Sequence, residues 1–182
     1  MITLPATLYD HETYHRVPLE HRWVMNKLAL AERLGYTCGP VGTRAPAGVY
    51  CLRPTYSIAG MGNGGIRKIT VGDDYPRIEG PSGHFWSEWF DGHQSWTDFT
   101  DDKYVRQYGG DVTDEGFISI EMEAQSIDVP KFLKGLSKHL LIEHVEGRIL
   151  EVSFRHSLPL YDMQKIPHPN GWEWSIVLKD TP

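Results

Sequence analysis

Cysteine is scarce: the 182 residues hold two, Cys38 and Cys51, with no CxxC spacing and no matching histidine ligands. That speaks against a structural zinc site and a disulfide framework, and suits free thiols in a reducing compartment. Long apolar runs are missing as well. No stretch is long enough to span a bilayer, and the opening Met1-Ile2-Thr3-Leu4-Pro5 lacks a basic segment followed by a long apolar one, so a cytoplasmic protein is expected. Positive charge is in deficit, with 18 Lys and Arg against 24 Asp and Glu for a net −6. A general nucleic-acid surface needs a basic stripe to collect phosphates and is not expected, whereas a local basic pocket remains open. Repeats and low-complexity segments are absent. What is present, 40% apolar content, suffices for one compact domain or two small lobes.

The most informative stretch is residues 50–70, which reads as strand, glycine loop, strand. Gly60, Gly62, Gly64 and Gly65 free the backbone for positive φ and close approach to a ligand, and Arg53, Arg67 and Lys68 place cations at either end. The combination suits a polyphosphate. A hairpin linker has the same composition, so the rest of the chain has to decide between them.

Residues 1–20 read as an irregular arm in which His11 and His15 are solvated. Trp23, Val24, Leu28, Leu30, Ala31 and Leu34 recur at helical spacing, predicting a helix over 21–34 that stops at Gly35. Strands are expected over 48–54 and 66–71, paired across the glycine loop, and over 84–90 and 94–100, paired as a second hairpin through Asp91-Gly92. Alternation over 117–124 predicts a half-buried strand, and Val129-Pro130 is expected to open a helix whose apolar face is Phe132, Leu133, Leu136 and Leu140. A third hairpin is expected to join 140–145 to 148–154 through Glu146-Gly147. A last strand covers 172–178.

The third hairpin gathers charge. Alternation puts Glu151, Ser153 and Arg155 on one face, and a tight turn brings Glu143 within reach of it. Two carboxylates beside a hydroxyl and a guanidinium are the inventory that Mg²⁺ bridging phosphates uses, although cross-strand ion pairs on an exposed sheet face would account for the same residues. Likewise Phe85, Trp86, Trp89, Phe90 and Trp96 suit either a packed core or an aromatic hinge.

The order of these features resembles the ATP-grasp family of ATP-dependent ligases over about residues 26–155. Asn26-Lys27 and the following helix ending in Gly35, with Pro40 nearby, look like the family's opening stretch, which makes Lys27 a nucleotide-phosphate lysine. Leu52-Arg53-Pro54 and the glycine loop are similar to its Lys-Pro segment and phosphate-covering loop, with Arg53 where lysine is usual. The run from Ser87 to Gln94, including Glu88, Trp89 and Phe90, resembles the hinge where backbone meets adenine and an acid holds ribose; Gln94 occupies the acid's place and keeps hydrogen-bonding capacity without charge. Glu151-Val152-Ser153-Phe154-Arg155 is similar to the Glu-x-Asn-x-Arg metal strand, with Ser153 replacing asparagine and Glu143 as the preceding acidic ligand.

The resemblance implies an α+β fold, a two-lobed ATP-grasp-like clamp built from antiparallel sheets with a few helices. The arm at 1–25 is followed by a lobe at 26–86 carrying the glycine loop and a lobe at 87–182 carrying the hinge and metal strands. It implies ATP and Mg²⁺, an unidentified carboxylate substrate, and activation of that carboxylate as an acyl phosphate for attack by an amine or similar nucleophile. Glu143, Glu151 and Ser153 hold metal, Lys27 and Arg53 orient the triphosphate, and Arg155 stabilises the transferring group. The family's separate N-terminal domain has only about 25 residues as its counterpart here. The arm, the segment 101–116 and the tail, a partner subunit or a second copy must therefore complete the acceptor site, or the chain is a catalytically inactive nucleotide-binding or protein-interaction module on a reduced scaffold.

Overall fold

Asn26 decides where the first long helix begins. Its side chain accepts from the Ala29 N–H at 3.0 Å while its backbone is extended, so the helix expected over 21–34 divides into a 3-10 helix at Leu19–Met25 and an α-helix, α2, at Lys27–Arg33. Gly35 ends α2 as expected: at φ 77 it lets the Tyr36 N–H reach the Ala31 carbonyl and its own N–H reach that of Glu32, a Schellman closure. The arm is not irregular. It forms α1 at Asp10–Arg16 before the 3-10 helix, and Val17, Val24 and Met25 are buried. The computed structural model describes residues 1–4, 10–57, 67–74, 76–113, 116–122, 127–154, 161–168 and 171–178.

Eleven strands are described: β1 Cys38–Pro40, β2 Gly48–Pro54, β3 Arg67–Val71, β4 His84–Glu88, β5 Gln94–Thr100, β6 Lys103–Thr113, β7 Gly116–Met122, β8 His139–Val145, β9 Arg148–Ser153, β10 Tyr161–His168 and β11 Gly171–Leu178. They form a four-stranded sheet in the order β1-β4-β2-β3, a five-stranded sheet in the order β7-β6-β5-β8-β9, and the β10-β11 hairpin. Every pairing between these strands is antiparallel. The fold class is α+β, antiparallel sheets with a few helices, as expected.

The first and third hairpins form as read. β2 pairs β3 across the glycine loop, and β8 pairs β9 through Glu146 and Gly147 at φ 48 and 79, a two-residue turn with both centres left-handed. The second hairpin does not form. β4 pairs β1 and β2, whereas β5 pairs β6 and β8, so residues 89–93 carry the chain from one sheet to the other. Burial explains the split: Trp86 packs with Tyr50, Leu52, Val71 and Ile78 in one cluster, and Phe99 packs with Leu140, Ile142, Val152 and Phe154 in another. The helix expected after Pro130 is also absent. Three-residue turns run over 131–136, Gly135 sits at φ 69, and Leu140 belongs to β8. Both carboxylate oxygens of Asp102 lie within 2.9 Å of the Gly135 N–H, fixing a backbone that no helix could share.

The larger core lies on one face of the five-stranded sheet, where Thr97, Ile142 and Val152 stand in register, and the arm's Val17, Val24 and Met25 with Leu30 of α2 close over it. The opposite face is left for the polar residues described next. No helix among the described residues is long and apolar enough to cross a membrane.

Candidate functional site

Three strands bring the acids to one place. Trp96 on β5 stands opposite Glu143 on β8, and Glu143 opposite Glu151 on β9, so the three share the face turned away from the larger core. A register shift between Glu143 and His144 follows immediately. Glu143 is held by two neutral donors: the Gln94 amide reaches Oε1 at 2.6 Å and the Trp96 indole reaches Oε2 at 3.0 Å. Burial, then the charge of Glu151, pushes the Glu143 carboxyl above the usual range; Lys27, Arg53 and the indole bond pull it down.

Glu151 meets the cations. Lys27, the first residue of α2, has its backbone N–H on the Thr55 carbonyl at 2.9 Å and its Nζ 2.8 Å from Glu151 Oε2. The pair is largely withdrawn from water, with side chains 8% and 12% exposed. Ser57, at the stem of the glycine loop, donates to the same oxygen at 3.3 Å. Ser153, two residues along the strand, is buried. The arm closes this end: Asp10, Tyr14, Met25, Tyr56, Ser57, Glu151, Val152 and Ser153 line a cavity of about 10 Å³, scarcely enough for one water.

Arg53 comes from the other sheet. Its guanidinium lies 5.1 Å from the Phe85 ring centroid, it is 6% exposed, and among the described residues its buried Nε has no hydrogen-bond partner. A buried cationic donor without a partner is costly. Cys51 lies two residues earlier, and Cys51 and Cys38 both stand opposite Ser87. Burial raises both thiols, Cys38 to about 11, so both stay protonated at neutral pH.

The residues joining the sheets are a tied hinge. The Glu88 and Trp89 N–H groups bond the Thr37 and Val49 carbonyls, both at 2.9 Å. The Trp89 ring carries Lys68 Nζ at 4.5 Å, and its indole bonds Asp91 at 2.8 Å. Phe90 is buried, edge-on to Tyr36 at 5.0 Å with the Arg148 guanidinium 4.8 Å from its centroid. Gly92 at φ 132 lets Glu146 approach, and Glu146 accepts from the His93 N–H at 3.3 Å.

The chain is similar in fold to ATP-grasp proteins. Among solved structures it resembles an ATP-grasp superfamily protein from Archaeoglobus fulgidus, at 13% identity over 86% of this chain and 64% of that one with a TM-score of 0.49. It resembles the ATP-grasp ligase PsnB complexed with a minimal precursor at 14% identity, over 82% of this chain and 55% of that one with a TM-score of 0.41. For D-alanine–D-alanine ligase from Bacillus anthracis the values are 13% identity, 74% and 58% coverage, and a TM-score of 0.40. This chain therefore spans between 55% and 64% of the length of these proteins. No protein-family model and no curated protein matches the sequence.

Against the residues named from sequence, the structure gathers Lys27, Glu143, Glu151 and Ser153 in one cluster and sets Arg53 near enough for its charge to act on Glu143. Gln94 points to a carboxylate, and Phe90 is taken up by Tyr36 and Arg148 as a packing plug between β9 and the α2-β1 link. Gly60, Gly62, Gly64, Gly65 and Arg155 lie outside the described residues. Trp96, an aromatic of the expected core or hinge, instead holds Glu143, and Ser57 joins the site at Glu151. Trp96 was legible, because strand alternation puts it on the face of Gln94; Ser57 carried no local signal.

The donor set fits magnesium. It is all oxygen, with two adjacent carboxylates, the ligand chemistry that Mg²⁺ takes.

Proposed function

We propose that this protein is an ATP-dependent ligase of the ATP-grasp kind, which activates a carboxylate as an acyl phosphate for attack by an amine or similar nucleophile. The observation that carries the reading is convergence. Lys27 from the front half of the chain pairs with Glu151 from the rear half, Arg53 stands near enough for its charge to act on Glu143, and among the described residues its buried Nε has no hydrogen-bond partner.

In this reading residues 26–86 and 87–182 are the two lobes of the clamp and residues 1–25 its arm. Glu143 and Glu151 hold Mg²⁺, with Ser153 beside them as the third ligand position. Bound magnesium supplies neutralisation of phosphate charge. Lys27 leaves Glu151 to orient the phosphates, and Arg53 binds them from the other sheet. The hinge from Glu88 through Trp89 and Phe90 would flank the base, Gly60, Gly62, Gly64 and Gly65 would cover the phosphates and exclude water, and Arg155 would stabilise the transferring group.

One observation favours a second reading, a non-catalytic nucleotide-binding or protein-interaction module. Glu151 is already engaged by Lys27 and Ser57, beside a cavity with scarcely room for water. Calorimetric titration with ATP, with and without Mg²⁺, separates the cases. The ligase reading expects Mg²⁺-dependent ATP binding that Arg53→Met weakens at least tenfold, and ADP release when carboxylates and amines are supplied. No ATP binding by the wild type rejects both nucleotide readings. Binding without turnover on a broad panel selects the second.

A further inference from the structure

We infer that Gln94 and Trp96 are positioning residues for the metal-binding carboxylate of Glu143, and that Gln94 serves this purpose in place of a ribose contact; the inference rests on the nucleotide reading above. The two side chains leave β5 two residues apart, on one face, and each takes one oxygen of Glu143, at 2.6 and 3.0 Å. A carboxylate gripped at both oxygens cannot rotate about its last bond, so its remaining lone pairs keep one direction. Both donors are neutral. They supply hydrogen bonds without placing a second cation beside Glu143, where Lys27 already pairs the neighbouring Glu151 and a metal must enter.

The identity of residue 94 follows from this geometry. A carboxylate there would stand 2.6 Å from Glu143, repelling it and adding a third negative group to the pair with Glu151. An amide of the same length donates instead. Ligand-orienting partners of this type typically alter metal affinity 10–100-fold when removed.

The test measures Mn²⁺ binding alone by electron paramagnetic resonance, and ATP affinity with Mg²⁺ and with chelator, for the wild type, Gln94→Met and Trp96→Phe. Gln94→Met keeps chain length at an exposed position and removes the amide that donates to Glu143. The expected result is about tenfold or more weaker Mn²⁺ binding with a broadened Mn²⁺ spectrum for both variants, an equal loss of Mg²⁺-dependent ATP affinity, and unchanged ATP affinity in chelator. A loss in chelator, together with lost discrimination between ATP and 2′-deoxy-ATP, would assign Gln94 to ribose and overturn the inference. Unchanged Mn²⁺ affinity in both variants also overturns it. A wild type that binds Mn²⁺ but no ATP rejects the ligase alone, and the Mn²⁺ comparison still decides the roles of Gln94 and Trp96; a wild type that binds neither ends both.

Discussion

Lys27 and Glu151 are paired and largely withdrawn from water, so losing one partner leaves the other's charge buried. Lys27→Met leaves Glu151 beside Glu143 with no cation between them, and a chemical denaturation series should show a loss of about 3 kcal/mol. Lys27→Met combined with Glu151→Gln should recover part of it, because the desolvated charge leaves with its partner. His144 behaves oppositely to a paired ion. It is fully buried, its Nδ1 accepts from the Gly147 N–H at 3.2 Å, and Nε2 lies 2.9 Å from Thr97 Oγ1. Burial lowers its pKa from 6.5 to about 4, against a smaller opposing effect of Glu146. The unfolded chain takes up a proton near 6.5 that the folded chain refuses until about 4, so this contribution to stability is whole above 6.5 and declines as pH falls towards 4. The decline amounts to on the order of 3 kcal/mol. Denaturation midpoints measured from pH 7 to 4 should drop in the wild type and drop less in His144→Gln.

At the scale of elements, the hinge shows how a local reading can find the right residues with the wrong topology. Asp91-Gly92 has the composition of a hairpin turn, and β4 and β5 both have strand composition, yet they enter different sheets. Trp86 and Phe99 belong to separate cores, and nothing in six neighbouring residues encodes which core each will join. Gly92 is required for geometric reasons: a Cβ there would lie 2.5 Å from Glu146 Cγ, at a φ of 132 that side chains rarely adopt. Gly92→Ala should cost about 1–2 kcal/mol. Adding Glu146→Ala should restore only the share due to the contact, leaving the backbone strain, as paired thermal melts of the two variants would reveal.

Across the whole molecule, the arm is part of the core. Val17, Val24 and Met25 bury apolar surface against Ile142 and Val152, each contributing roughly 1.5–3 kcal/mol. Deleting residues 1–25 should therefore abolish cooperative folding, with near-UV circular dichroism lost. Trimming Met1–Leu4 should spare the fold, since Ile2 contributes one bridge to Ser137 and peripheral packing. A truncated chain that kept a cooperative melt would show the arm to be an accessory.

The sequence by itself determined the class, the β2-β3 and β8-β9 hairpins, the stop at Gly35 and the pairing of Glu143 with Glu151. All of these depend on alternation or turn chemistry within a few residues, where sterics and side-chain direction act directly. Only the tertiary structure decided that Lys27 would rest on Glu151, that Arg53 would keep a buried Nε with no hydrogen-bond partner among the described residues, that Gln94 would grip Glu143 and that the segment after Pro130 would turn instead of coil. Those outcomes depend on which surfaces the chain buries together, and burial is a property of contacts between residues distant along the chain.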